Sequence, residues 1–278
     1  MDLLTGSAAR LLIRSGQWRL PTAVLAPGFV QANLVVLDRA HARDFEAFCH
    51  SNPKPLPLLE KLDVGSPVPR RCAIEADLRT DLPKYRVYEF GSLAREIPDL
   101  RQEWQDDWCA FLLGCSFTFD TLLLDAGIPV RHLEQQCNVP MYKTDRELNP
   151  VGPFAGNLVV SMRPIPFCDV ERVVGLTKPL WLAHGEPVHI GAAQDLGIDD
   201  LASPDYGDAV EIRKGEVPLF WACGVTAQLV AQLCNIPLMV THAPGHMFIT
   251  DLEIEELACG GKGLDPLPEE GSIRCPGA

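Results

Sequence analysis

The sequence predicts an α/β fold, and three stretches carry that prediction. Residues 216–252 run as an apolar strand (Val217, Leu219, Phe220, Trp221, Ala222), a turn at Gly224, a helical segment with Leu229, Val230 and Leu233 on one face, a second apolar run over 236–240, and a Pro-Gly turn before a last strand. About a dozen residues separate the first two strands, near the minimum for a parallel βαβ crossover. Residues 29–37 read as a buried strand, and Asp38 behind it can cap a helix with Phe45, Phe48 and Cys49 inside. Residues 158–162 read as a strand closed by Arg163-Pro164, with a short helix over 168–176. Strands alternating with helical patterns are what an α/β sheet requires.

The other elements follow in order. Residues 5–18 form a basic amphipathic helix with Ala8, Leu11, Leu12 and Ser15 at helical spacing; a transit peptide is conceivable, but an ordinary first helix is the better reading. Asn52-Pro53-Lys54-Pro55 ends the second helix and continues as a stiff extended arm or linker. Residues 76–86 are a Pro-bounded loop dense in charge. Residues 103–113 place Trp104, Trp108, Phe111 and Leu112 at helical spacing, and Ser116 can cap a further helix ending at Gly127. Residues 138–157 read as a long loop, and the last residues, 253–278, as an irregular tail.

Composition narrows the function. A formal charge of −13 argues against nucleic acid and anionic membranes as partners. No apolar run approaches the ~20 residues of a membrane span. A small molecule is the natural partner, and a homo-oligomer is compatible with the sequence. The ten cysteines are scattered with no CxxC, which favours a reducing compartment, cytoplasm or mitochondrial matrix.

Chemistry concentrates at two turns. In a βαβ unit Cys223 sits at a strand end against a helix N-terminus capped by Thr226, with His242 and His246 flanking the next turn. Gly114-Cys115-Ser116 is a second anion cradle of the same kind. Several readings stand: a zinc or iron site, a Cys–His nucleophilic pair, a histidine acid/base beside anion-binding N–H groups, or histidines merely satisfied by carbonyls. His184 and His189, five apart on a strand edge, face opposite ways and do not share a metal readily. In the 76–86 loop, Arg79 is either a bidentate carboxylate donor oriented by Asp77 or Asp81, or part of a solvated turn.

The segments Gly28-Phe-Val-Gln-Ala-Asn-Leu, Asn52-Pro-Lys-Pro, Ala76-Asp-Leu-Arg-Thr-Asp-Leu-Pro, Gly114-Cys-Ser-Phe, Asn138-Val-Pro-Met-Tyr, Val159-Val-Ser-Met-Arg-Pro, Pro187-Val-His-Ile-Gly, Trp221-Ala-Cys-Gly-Val-Thr and Thr241-His-Ala-Pro-Gly-His-Met together resemble the D-glutamate cyclase / hydro-lyase family, from about residue 5 to 251. The resemblance implies a three-layer αβα portion with a second, smaller two-layer α+β portion, expected over 1–130 with 215–252 and over 131–214. It implies a lyase that removes water, which in eukaryotic relatives cyclises D-glutamate to 5-oxo-D-proline. Such a reaction asks for a base (His242 or His246), an acid (Asp77 or Asp81), oxyanion donors at Gly224, Val225 and the 114–116 turn, and Arg79 or Arg163 for the α-carboxylate. It requires no metal or other cofactor. A metal-dependent lactam hydrolase and a non-catalytic carboxylate-binding protein are the alternatives. Glu75 stands where the family pattern leads one to expect Gly, and Asn157 where it leads one to expect Pro.

Overall fold

A computed structural model describes residues 4–23 and 25–258. The tail expected to be irregular from 253 instead begins with the end of a strand at Glu253 and a short helix over 254–258, and the rest of it, from residue 259 onward, lies outside the described residues. Two sheets organise the chain. The first contains β1 (Phe29–Asp38), β2 (Leu58–Lys61), β3 (Tyr85–Glu89), β4 (Ser92–Ile97), β5 (Trp108–Gly114), β10 (Leu238–His242) and β11 (Phe248–Glu253). Its order is β2-β5-β1-β10-β3-β4, with β11 also paired to β1. The second contains β6 (Met141–Glu147), β7 (Asn157–Pro166), β8 (His189–Ile190) and β9 (Glu216–Ala222), in the order β6-β7-β9-β8. Every strand pairing is antiparallel.

This pairing corrects the expected parallel crossover. β9 and β10 flank α6 (Thr226–Leu233) as anticipated, but they belong to different sheets. α6 therefore carries the chain from one sheet to the other. The second sheet thus extends past residue 214 to take in β9.

The helices are α1 (Gly6–Arg14), α2 (Arg39–Ser51), α3 (Phe117–Asp125), α4 (Arg131–Glu134), α5 (Val170–Thr177), α6 and α7 (Ile254–Ala258). α2 starts where the sequence says it must: the Asp38 carboxylate accepts from the N–H groups of Ala40 and His41, and Phe45, Phe48 and Cys49 are buried. α1 forms, but its inner face is Gly6, Ala9, Arg10 and Ile13 rather than Leu11 and Ser15. The reason is a close approach: a Cβ on Gly6 would lie 2.0 Å from the Thr250 carbonyl oxygen on β11, while Arg10 reaches the Ile249 carbonyl and Asp251.

Residues 108–114 are a strand, not a helix. All seven residues of β5 are buried, and a continuous apolar run of that kind fits a doubly covered strand as well as a helix face. Trp104, in the preceding turn, packs edge-on against Trp108. The expected loop over 138–157 likewise contains β6, which forms a hairpin with β7.

β1 is the centre of the first sheet, and its alternation divides the core. Val30, Ala32, Leu34 and Val36 face a cluster with Leu78, Tyr85, Phe119, Leu182 and Trp221. Val35 and Leu37 face α2 and α6 through Phe45, Phe48, Ala227 and Val230. With both faces covered, β1 is buried from Val30 to Leu37.

Candidate active site

Two strand ends meet where the sheets adjoin. β5 runs out at Gly114 and turns through Cys115 and Ser116 into α3; β9 runs out at Ala222 and turns through Cys223 and Gly224 into α6. Cys115, Phe117, Cys223, Val225 and Met247 share one apolar cluster, with Val139, Met141 and Tyr206 from the second sheet's side. Asn33 of β1 joins the turns. Its amide donates to the Gly114 carbonyl at 2.7 Å, and a Cβ on Gly224 would lie 2.0 Å from the same nitrogen. Gly224 is thus required by that contact as well as by the turn.

The turns resemble each other. The Phe117 N–H donates to Cys115 Sγ at 3.5 Å, and the Val225 N–H donates to Cys223. Neither hydroxyl caps its helix. Thr226 lies inside α6, accepting from the Val159 N–H at 3.1 Å, and Ser116 Oγ accepts from Arg163 at 3.4 Å. Burial pushes the Cys223 thiol up to about 11, against the opposing pull of Val225 N–H and Arg163, and it raises Cys115 further. Both are therefore thiols at neutral pH. The expected fall in the Cys223 pKa does not occur, because desolvation outweighs the helix terminus.

Arg163, on β7, is the buried charge of this region. Its guanidinium lies 4.8 Å from the Phe119 ring centre and 5.4 Å from that of Trp221, and its Nε donates to Asp120 at 2.6 Å. The outer nitrogens make only long bonds, 3.2 Å to Ser161 and 3.4 Å to Ser116. Burial raises the Asp120 pKa, but Arg163 and His132 outweigh it, so the carboxyl lies below its ordinary value. His132 Nε2 stands 3.3 Å from Asp120 Oδ2 without hydrogen-bond geometry, and neither atom has another partner.

A second polar group faces the same cluster from the first sheet. Arg86 pairs with Glu96 at 2.8 Å and contacts Gln228 at 3.5 Å; the Gln228 amide donates to the His242 carbonyl at 3.0 Å. His242 is buried, its Nδ1 accepting from the Leu34 N–H at 3.2 Å, and burial lowers its pKa to about 3. It is neutral, and a weak base. His246 is only partly buried; its Nδ1–H donates to the Pro244 carbonyl at 2.8 Å, and the Arg19 backbone also lies within reach of the ring. Its pKa is also lowered, by burial first, with Lys84 adding to that and Glu96 opposing. The Tyr88 and Tyr206 hydroxyls are buried without a partner. Tyr206 is pushed up to about 12 by burial, then by Tyr88 and Asp205, with Arg86 opposing. Both Cys223 and Arg86 are close enough to bias its titration.

The structure therefore gathers Gly114, Cys115, Ser116, Arg163, Cys223, Gly224, Thr226, His242 and His246 around one region. It does not bring Asp77, Arg79 or Asp81 there. Arg79 is folded back onto Asp77, and Asp81, wholly buried, accepts from Arg14, Thr80 and the Asp77 N–H. That loop fastens α1. Residue-type reasoning missed Asn33, Arg86, Tyr88, Asp120, His132, Tyr206 and Gln228. Arg86 carried a signal, a lone guanidinium amid the strand residues Tyr85, Val87 and Tyr88. Among the described residues no group of three His, Cys, Asp or Glu side chains is arranged to hold a metal ion. His184 and His189 bond separate carbonyls, those of Lys54 and Ala192. A surface cavity of about 290 Å³ between α3 and α7, walled by Phe29, Leu122, Asp125 and Ile254, lies apart from all these groups.

The family profile of D-glutamate cyclase matches residues 109–251, which span both turns, Arg163 and both histidines. The chain belongs to the D-glutamate cyclase family. A protein provisionally named a hydro-lyase from Thermoanaerobacter sp. (strain X514) is 56% identical over 256 residues, covering 92% of this chain and 97% of that one. Another from Rubrobacter xylanophilus is 57% identical over 243 residues, covering 87% and 94%. A third from Stutzerimonas stutzeri is 52% identical over 254 residues, covering 91% and 96%. Among solved structures, a nitrogen repressor-like protein from Methanococcus jannaschii overlays with a TM-score of 0.36 at 10% identity, covering 88% of this chain and 98% of that one. That likeness lies below the level at which a family member's architecture can be compared.

Proposed function

We propose that this D-glutamate cyclase family chain is a hydro-lyase acting on a small amino or hydroxy acid, and that the reaction is cyclisation of D-glutamate to 5-oxo-D-proline. The observation that carries the reading is Arg163: a wholly buried guanidinium whose outer nitrogens are held only by long serine bonds, beside two helix-leading turns. A carboxylate suits those nitrogens better than a hydroxyl does. The names of the relatives support loss of water.

In this reading Arg163 fixes the α-carboxylate. His246, partly open to solvent, takes a proton from the α-ammonium, and the amine attacks the γ-carboxyl carbon. A C–N bond forms as the C–O bond to the departing oxygen breaks. That oxygen leaves as water after taking two protons. One comes from the Tyr206 phenol, which His246 then reprotonates with the proton it took, and one from the attacking nitrogen as it becomes the lactam N–H. The Tyr206 hydroxyl has no other partner. Backbone N–H groups of the turns receive the oxyanion. His242 holds Gln228 and Leu34 in register rather than carrying the proton, and Asp77 and Asp81 take no part.

The test is an NMR time course of the purified protein with D-glutamate, L-glutamate and 5-oxoproline. Conversion of D-glutamate to 5-oxoproline above the spontaneous rate, abolished by His246→Ala, is the expected result. Spontaneous rates on all three compounds would remove the cyclase assignment.

A further inference from the structure

Arg163 and Arg86 are anchored in the same way. Each guanidinium commits its Nε to a carboxylate, Arg163 to Asp120 at 2.6 Å and Arg86 to Glu96 at 2.8 Å. Each leaves its outer nitrogens weakly held. Arg163 has the two long serine bonds, and Arg86 has only a 3.5 Å contact from Nη1 to the Gln228 side-chain oxygen. Arg86 Nη2 makes no hydrogen bond among the described residues and is open to solvent, and the side chain keeps 22% of its surface. A planar pair of N–H donors of this kind matches a carboxylate.

The two arginines come from different sheets, Arg163 from β7 and Arg86 from β3, and the Cys223–Tyr206 cluster connects them. Arg163 bears on the Cys223 thiol, Cys223 on the Tyr206 phenol, and Arg86 on that same phenol. The neighbours of Arg86 are also those of the reacting end in the proposed cyclisation. Tyr206 is the proton donor there, and Glu96, which Arg86 bonds, lies within the electrostatic reach of His246. Gln228, which Arg86 contacts, is fixed by its bond to the His242 carbonyl. Glu96 is shared with Lys84 at 3.7 Å, so it neutralises Arg86 incompletely.

We propose that Arg86 receives the second carboxylate of the substrate, which makes the site specific for a dicarboxylic acid. The inference rests on the reading that Arg163 holds the α-carboxylate. Arg86 then fixes the γ-carboxyl beside Tyr206, with Glu96 orienting the guanidinium through Nε. A monocarboxylic acid leaves the outer nitrogens of Arg86 unmatched and binds more weakly for that reason.

Glutarate carries both carboxylates and no amine, so it tests recognition apart from turnover; pentanoate is its five-carbon counterpart with one carboxylate. Ligand-observed NMR titrations of the full chain should show glutarate binding about tenfold or more tightly than pentanoate. Arg86→Gln should bring glutarate down to the level of pentanoate and leave pentanoate itself within about threefold. Arg86→Lys should keep part of the preference, since the charge stays and the planar pair of donors goes. Lys84→Gln removes a charge from the same Glu96 and should leave the preference intact. An unfolding midpoint near that of the wild type checks each variant, and Arg86→Lys carries the comparison if Arg86→Gln does not fold. Equal binding of the two acids by the wild type, a full preference in either Arg86 variant, or an equal loss in Lys84→Gln would each overturn the assignment. The cyclase reading fails separately. D-glutamate left unconverted while the Arg86-dependent preference persists removes the reaction and keeps the dicarboxylate site; conversion with no dependence on Arg86 does the reverse.

Discussion

Two arginine–aspartate ensembles in this protein are each built on a buried carboxylate, Asp81 and Asp120, and they differ in what they leave unsatisfied. In the loop around Asp81, the carboxylate accepts two bonds from Arg14, one from Thr80 and one from the Asp77 N–H, while Arg79 closes on Asp77. At the sheet junction Arg163 and Asp120 pair closely, but Asp120 Oδ2, His132 Nε2, Trp221 Nε1 and two tyrosine hydroxyls lack partners nearby or beside it. Polar groups left open in a buried setting await either water or a ligand. Saturation marks the loop as structural, and incompleteness marks the junction as the place for chemistry.

The sharpest way to break this comparison is to remove one arginine from each. Arg163→Met should abolish measurable turnover and destabilise the fold by about 3–5 kcal/mol, since buried Asp120 would keep only His132, 3.3 Å away. Arg163→Lys keeps the charge without the fork, so it should fold and lose substrate affinity. Arg79→Met should change stability by about 1 kcal/mol or less and leave turnover within a few-fold. Turnover assays with denaturant melts decide, and the reverse pattern sinks the comparison.

Acid should act through histidines flanking the junction. Free His242 and His184 titrate near 6.5, and burial lowers them to about 3 and about 4 in the fold. Between those limits the unfolded chain binds more protons than the native one, so stability falls as pH drops from 6.5 and levels off below the folded values. Each unit of depression is worth roughly 1.4 kcal/mol, which makes the limb on the order of 8 kcal/mol deep if both histidines contribute in full, the larger share from His242. Unfolding free energies measured from pH 7 to 4 should show it, and His184→Gln should make it shallower while leaving the His242 part.

Packing at the two turns gives smaller effects. Gly114→Ala drives a methyl into the Leu182 backbone and should cost about 3 kcal/mol. Gly224→Ala meets only the Asn33 side chain, so pairing it with Asn33→Ala should recover about 1 kcal/mol in a double-mutant cycle. Additive losses would show that Asn33 does not set the turn. Smallest is a gain on the loop side. Glu75 holds φ 56° where the family pattern leads one to expect glycine, and Glu75→Gly should stabilise by up to about 1 kcal/mol without touching turnover.

What the sequence disclosed was local. Asp38 followed by Phe45 and Phe48 specifies α2 because a cap and a buried face are both encoded within one segment. Gly114-Cys115-Ser116 and Cys223-Gly224 were visible as turns for the same reason. β5 was not, because seven consecutive buried residues erase the alternation that separates strand from helix. Nor was the sheet to which β9 belongs: a strand–helix–strand pattern states the order of elements and says nothing of their partners. Asn33 and Asp120 became site residues only through contacts more than 40 positions away. The lone Arg86 was a legible warning that went unread, whereas Tyr206 emerges only once the second sheet is docked.

The order of the strands has a consequence for how the protein is made. β10 lies between β1 and β3, yet some 150 residues and the whole second sheet are synthesised after β3 and before it. A nascent chain emerging from the ribosome therefore holds β1 and β3 with open edges until β10 arrives. During that interval the exposed ladders are templates for foreign strands. Truncation before residue 238 should yield insoluble chains rather than a smaller enzyme, and chaperone dependence should track translation of the final strands.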